Sequence, residues 1–261
     1  MKQVWGLIWI LIITLLLLTA YSFAPFTIHI GKTEVKKTHF KEFLLGQTEP
    51  EPGLQAADVD WQKREIDTTS KNILFIGDSM LEQLRYPAND YCKYNGHKLH
   101  VVIWYASTTA WFGNSDTLAY FINKFKPDYV VIVLGANELP VRMTPKTKAK
   151  DMFHILNQLD TIPFVWIGPP NWTKDYGINA VIPYFVNYDR FYPSYKISLN
   201  NPKFTRFKKD NAHPTYQAAC LWMDSIAVWM MNDCRYPIKM EKPPYHLHEN
   251  PPLTILQPLK Q

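Results

Sequence analysis

The chain has 261 residues, of which 47% are hydrophobic and 20% charged, so it is neither an intrinsically disordered chain nor a multi-span membrane protein. Its formal charge of +5 is too small to imply a nucleic-acid partner, which would need clustered Lys and Arg. Three cysteines, Cys92, Cys220 and Cys234, cannot build a disulfide framework, and no Cys/His spacing suits a metal; no metal and no organic cofactor is expected.

From Gln3 to Gly31 there is no Asp, Glu, Lys or Arg. Residues 4–23 form an apolar run which, as a helix, reaches about 30 Å, the thickness of a bilayer's hydrocarbon layer. Trp5 and Trp9 stand near one end, Tyr21 and Phe23 near the other, where interfacial aromatics are placed. The competing reading is a cleaved signal peptide, whose apolar region is shorter and ends in a small-x-small site; Ala20-Tyr21-Ser22 is a mediocre one. The sequence is therefore read as an anchor at 1–24, a stem at 25–70, a folded domain at 71–236 and a tail at 237–261. The domain is expected outside the cytoplasm, periplasmic or at the cell surface. The tail carries Pro243, Pro244, Pro251, Pro252 and Pro258, too closely spaced for a helix or a central strand, and reads as a surface strap or a disordered end.

Four short, continuously apolar runs follow in chain order: 72–76 (NILFI), 99–104 (LHVVIW), 129–134 (YVVIVL) and 164–168 (FVWIG). Such runs suit strands buried on both faces of a parallel sheet. Helical patterns at 117–125, 145–159 and 215–231 alternate with them. The expectation is a three-layer α/β/α, flavodoxin-like domain with a central parallel sheet of about five strands, its chemistry just beyond the strands' carboxyl ends. Trp104 and Trp166, inside these runs, read as core.

Each motif of interest follows such a run. Gly77-Asp78-Ser79-Met80 follows the first; a serine on a strand-to-helix turn has its N–H at a helix N-terminus, where negative charge is favoured. Gly135-Ala136-Asn137-Glu138 follows the third, and an Asn amide there can donate to an oxyanion. Glu138 reads as a helix-start or supporting residue rather than a catalyst. Asp210-Asn211-Ala212-His213-Pro214 precedes the last helix; with Asp and His three apart, the carboxylate can accept a hydrogen bond from the Nδ1–H and leave Nε2 to act as a base.

Together these blocks resemble the SGNH hydrolases, the GDSL-type serine esterases, over about residues 72–231. Ser79, Asn137 and His213 match the family's Ser, Asn and His in order, and Asp210 matches the aspartate before the histidine. Met80 replaces the family's leucine, and the glycine of the second block is absent: after the second run the chain reads Tyr105-Ala106-Ser107-Thr108-Thr109, with Ser107 in the glycine's place. The resemblance implies Ser79 as nucleophile, His213 as base and Asp210 as its orienting partner. It also implies an oxyanion hole from the N–H groups of Ser79 and Ser107 with the Asn137 amide, Gly77, Asp78 and Gly135 supporting the motifs. Trp111 and Trp172 are expected to form an exposed rim suited to sugar rings. That combination suggests an esterase removing O-acetyl groups from an extracytoplasmic carbohydrate. The alternatives are an O-acetyltransferase on a cell-envelope glycan and a non-catalytic glycan-binding module.

Overall fold

A computed structural model describes residues 6, 9, 14, 19–21, 29–30, 33–34 and 64–258. The chain divides into two units, Met1–Gln55 and Ala56–Gln261. In the first, residues 6, 9, 14 and 19–21 are helical, and His29–Ile30 pairs antiparallel with Thr33–Glu34. Among the described residues no helix is long and apolar enough to cross a membrane; most of the expected anchor at 4–23 lies outside them.

The second unit is built on a six-stranded sheet. Its elements are β1 (Asn72–Gly77), α1 (Leu81–Tyr94), β2 (Lys98–Trp104), α2 (Thr109–Gly113), α3 (Thr117–Phe125), β3 (Tyr129–Val133), α4 (Pro145–Leu159), β4 (Phe164–Ile167), α5 (Ile178–Val186), β5 (Phe191–Tyr192), α6 (Tyr195–Asn200), α7 (Tyr216–Asn232) and β6 (Leu253–Leu256). The strand order is β5-β4-β3-β1-β2-β6 and every pairing is parallel. Chain order reverses between β1 and β3, and in open sheets of this kind that switch point leaves a crevice at the carboxyl ends of the strands.

The apolar runs form strands because both faces are covered. Along β1, Ile73 and Phe75 join the core beneath α1 and α7, while Leu74 and Ile76 join the core beneath α3, α4 and α5. Each such side chain, once buried, contributes about 1.5–3 kcal/mol. Trp104 and Trp166 are core, 5% and 0% exposed, and the Trp166 indole N–H donates to the Leu134 carbonyl at 3.0 Å. Helix α4 opens with Thr144 and Thr147 capping one another and Pro145 at the first helical position, a strong start signal.

The domain is wider than the sequence boundaries 71–236. Before it, Asp67 N–H donates to the Pro237 carbonyl and Lys239 N–H to the Asp67 carbonyl, both at 2.9 Å. Beyond it, the proline-rich tail supplies β6, paired with β2 from Val101↔Leu253 to Trp104↔Leu256. The sheet thus has six strands rather than about five. Pro251 and Pro252 are compatible with this because β6 is an edge strand.

All three cysteines are free thiols. Burial pushes the Cys92 thiol up to about 12 and the Cys234 thiol to about 11, which keeps both as poor nucleophiles. Iodoacetamide applied to the native protein should leave ester turnover intact; inactivation prevented by a substrate analogue would put the nucleophile on a cysteine.

Candidate active site

β1 ends in Gly77 because nothing larger fits: a Cβ there would lie 1.8 Å from the Val133 carbonyl oxygen on β3. Asp78 follows, buried, its N–H donating to that same carbonyl at 3.0 Å. Its carboxylate accepts N–H groups from Met80 (2.9 Å), Ala136 (3.0 Å) and Gly135 (3.2 Å), tying the turn after β1 to the turn after β3. Burial pushes the Asp78 carboxyl up to about 6 against the pull of those three donors. Asp78→Ala should leave three buried N–H groups unpaired and cost about 3 kcal/mol or more in urea unfolding; a loss under about 0.5 kcal/mol would mean that the carboxylate does not hold these turns together.

This turn delivers Ser79, half-buried, directly before α1. Among the described residues its N–H has no acceptor, and it stands at the positive end of the helix dipole. The turn after β3 uses Gly135 at φ +125°, where a side chain is strained, and then presents Asn137.

His213 is carried on a two-stranded clip. Phe207 N–H donates to the His213 carbonyl and Thr215 N–H to the Thr205 carbonyl, both at 3.0 Å, and Arg206 bridges Pro214. The clip closes against α7, whose first turn is capped by the Thr215 hydroxyl. Asp210 Oδ1 accepts the N–H groups of Ala212 (2.9 Å) and His213 (3.1 Å), leaving Oδ2 3.0 Å from His213 Nδ1. The Ala212 N–H and then the imidazole hold the Asp210 carboxyl down to about 2, so it is a carboxylate throughout the neutral range. The carboxylate accepts a hydrogen bond from Nδ1–H, which fixes that tautomer and leaves Nε2 as an acceptor, and the Ser79 hydroxyl lies 2.8 Å from it. The three side chains therefore form one continuous relay at the switch point between β1 and β3. Beside it runs a cleft whose further lining includes Met80, Gln83, Phe207 and Lys209.

The turn after β2 departs from expectation. Ser107 N–H donates to the Trp104 carbonyl at 3.1 Å, so it is engaged in the turn rather than offered to an oxyanion. Ala106 is the left-handed residue here, at φ +59°, the conformation a glycine would favour. Ser107 instead acts through its carbonyl, which accepts the Asn137 amide at 2.9 Å and so fixes that side chain while leaving its second N–H free. Its own hydroxyl is buried without a partner, and the N–H groups of this turn with no acceptor among the described residues are those of Ala106 and Thr108.

The rim residues also differ. Trp172 is half-buried, its indole N–H donating to the Ala136 carbonyl at 3.0 Å, so it braces the Asn137 turn rather than standing free. Trp111 is half-buried against Trp104, ring centroids 5.4 Å apart. The polar tip of each side chain, or its neighbour, pulls the ring inward, a pairing that spacing along the chain does not carry.

Glu138 is buried and accepts both the N–H (2.8 Å) and the hydroxyl (2.6 Å) of Thr109, and it pairs with Lys148 at 2.7 Å. It thereby joins the turn after β3 to the start of α2. Thr109 and Lys148 had no local signal as supporting residues, since α4 brings Lys148 to Glu138 only in three dimensions. Among the described residues no group of three His, Cys, Asp or Glu is placed to hold a metal ion.

No family model matches the chain, and no curated protein matches it. Among solved structures, a crystal structure of the psychrotrophic esterase EstA from Pseudoalteromonas sp., inhibited by monoethylphosphonate, overlaps with a TM-score of 0.43 at 18% identity, over 61% of this chain and 98% of that one.

Proposed function

We propose that this chain is a serine esterase of the SGNH type, with Ser79 as nucleophile, His213 as general base and then acid, and Asp210 as its orienting partner. The observation that carries this reading is the unbroken Ser79–His213–Asp210 relay, with contacts of 2.8 and 3.0 Å, at the sheet's switch point.

In this mechanism Ser79 Oγ attacks the ester carbonyl as its proton passes to His213 Nε2. The imidazolium is stabilised by the Asp210 carboxylate. The tetrahedral oxyanion takes the free Ser79 N–H and the second N–H of the Asn137 amide; a third donor would come from Ala106 or Thr108. On collapse, Nε2 gives its proton to the leaving alcohol, and the acyl group stays on Ser79. Water then attacks the acyl-enzyme, losing a proton to Nε2; as the acyl–Oγ bond breaks, Nε2 returns that proton to Ser79 Oγ and the carboxylic acid departs.

The substrate belongs to the same proposal: O-acetyl groups on a carbohydrate outside the cytoplasm, with the chain held at the membrane by residues 4–23. The test is turnover of p-nitrophenyl acetate and acetate release from a panel of acetylated glycans. Asp210→Asn should lose most of that turnover while circular dichroism stays native, because Asp210 is exposed and orients the imidazole without supporting the core. Unchanged turnover in Asp210→Asn would remove the relay from the mechanism.

A further inference from the structure

Helix α4 buries one stripe, Lys148, Met152, Ile155 and Leu159, at the spacing of a core-facing helix, and a lysine opens it. A cation in such a place is costly unless paired, and an apolar residue of similar size would serve packing as well or better. Lys148 is 7% exposed, and its ammonium reaches the Glu138 carboxylate at 2.7 Å and the Asp151 carboxylate at 3.3 Å. Packing does not account for this lysine; its reach to Glu138 does.

Glu138 directly follows Asn137, and Thr109 lies just beyond Ser107 and Thr108. The Asn137 amide donates to the Ser107 carbonyl at 2.9 Å, while Thr109 gives its N–H to Glu138 Oε2 at 2.8 Å and its hydroxyl to Oε1 at 2.6 Å. The turns after β2 and β3 are therefore joined twice, in a closed ring through Asn137, Ser107, Thr109 and Glu138. Such a ring fixes the direction of the amide, which a single hydrogen bond leaves free to swing. Lys148 holds the ring from α4, and α4 lies tight against α2: a Cβ on Gly113 would be 2.4 Å from the Asp151 Cα.

The other supports of this turn act on its first half. Asp78 accepts the N–H groups of Gly135 and Ala136, and the Ala136 carbonyl accepts the Trp172 indole N–H. These contacts fix the backbone before residue 137. Glu138 fixes it afterwards, and through Thr109 it also fixes the strand of chain that carries the amide's acceptor.

We propose that Thr109, Glu138 and Lys148 are positioning residues of the reaction, a buried charged clamp that aims the second Asn137 N–H at the oxyanion before substrate arrives. This role in catalysis rests on the esterase reading above; the hold of the clamp on the Asn137 amide does not. A donor set in place beforehand needs no reorganisation as charge develops, so the clamp acts on kcat and leaves KM nearly unchanged.

The test is a set of double-variant cycles in the full chain, read by p-nitrophenyl acetate turnover. Lys148→Met keeps the packing and removes the charge; Thr109→Val keeps the shape and removes the hydroxyl. Each should lower kcat about tenfold or more with KM within about threefold, and Thr109→Ser should restore kcat. In the Asn137→Ala background the same changes should cost less than about twofold further, because the group they aim is gone. Equal losses in both backgrounds, or unchanged kcat in the folded variants, would overturn the clamp, and Thr109→Val decides the matter if Lys148→Met fails to fold. The amide also gives a reading that needs no turnover. With asparagine isotopically labelled for NMR, the side-chain signals missing from the Asn137→Ala spectrum should exchange with water about tenfold faster in Lys148→Met and Thr109→Val than in the native chain. Native turnover no higher than that of Ser79→Ala, with amide exchange responding in this way, would remove the esterase reading and leave the hold on Asn137. Amide exchange unmoved by either change would remove the clamp and leave the esterase reading.

Discussion

Ser79→Ala and His213→Ala should each lower p-nitrophenyl acetate turnover by about 10³-fold or more, and the double variant should be little worse than either alone. The reason is geometric: with 2.8 Å between the hydroxyl and Nε2, nucleophile and base act as one unit, and removing either removes the unit. Neither change should disturb folding, since both side chains are only half-buried and their contacts are with one another and with Asp210. Multiplicative losses in the double variant would mean that the two groups act in separate steps, and the relay would have to be abandoned.

Asn137→Ala is expected to have the next largest effect, a loss of about 10²–10³ in turnover, or about 3–4 kcal/mol of transition-state stabilisation. Its amide has one N–H engaged by the Ser107 carbonyl and one left over, so the side chain is both aimed and available. The effect should fall on kcat rather than KM, because the oxyanion exists only after attack. Ser107→Ala, by contrast, keeps the carbonyl that holds Asn137 and removes a hydroxyl that has no partner, so it should be tolerated within about tenfold. If Ser107→Ala matched the Asn137→Ala loss with native circular dichroism, the hydroxyl would have a direct part in the chemistry.

Much of this arrangement was legible in the sequence wherever a local rule fixes the outcome. Continuous apolar runs marked β1 to β4 because strands covered on both faces need apolar residues at every position. Ser79, Asn137 and His213 stood out through the motif blocks that hold them, each following an apolar run or preceding the last helix. What escaped depends on groups distant in the chain. β6 is four residues among prolines and exists only because β2 offers it an edge. Residues before 71 read as a stem until Pro237 and Lys239 pair with Asp67. The sequence reading of Ser107 as a backbone donor failed because hydrogen-bond direction in a turn is set by its dihedrals, here by Ala106 in the left-handed region, and not by residue type. Trp172 read as rim, but its indole N–H finds the Ala136 carbonyl across the fold.

The most direct test of the central claim is covalent. A fluorophosphonate mimics the ester at the moment of attack and is trapped by an activated serine, so incubation with the native chain followed by peptide mass spectrometry reads out which residue has reacted. The phosphonyl group should be found on Ser79, and labelling should be abolished in both Ser79→Ala and His213→Ala. A folded protein that remains unlabelled, or an adduct on another residue that persists in Ser79→Ala, would contradict the assignment of Ser79 as the nucleophile.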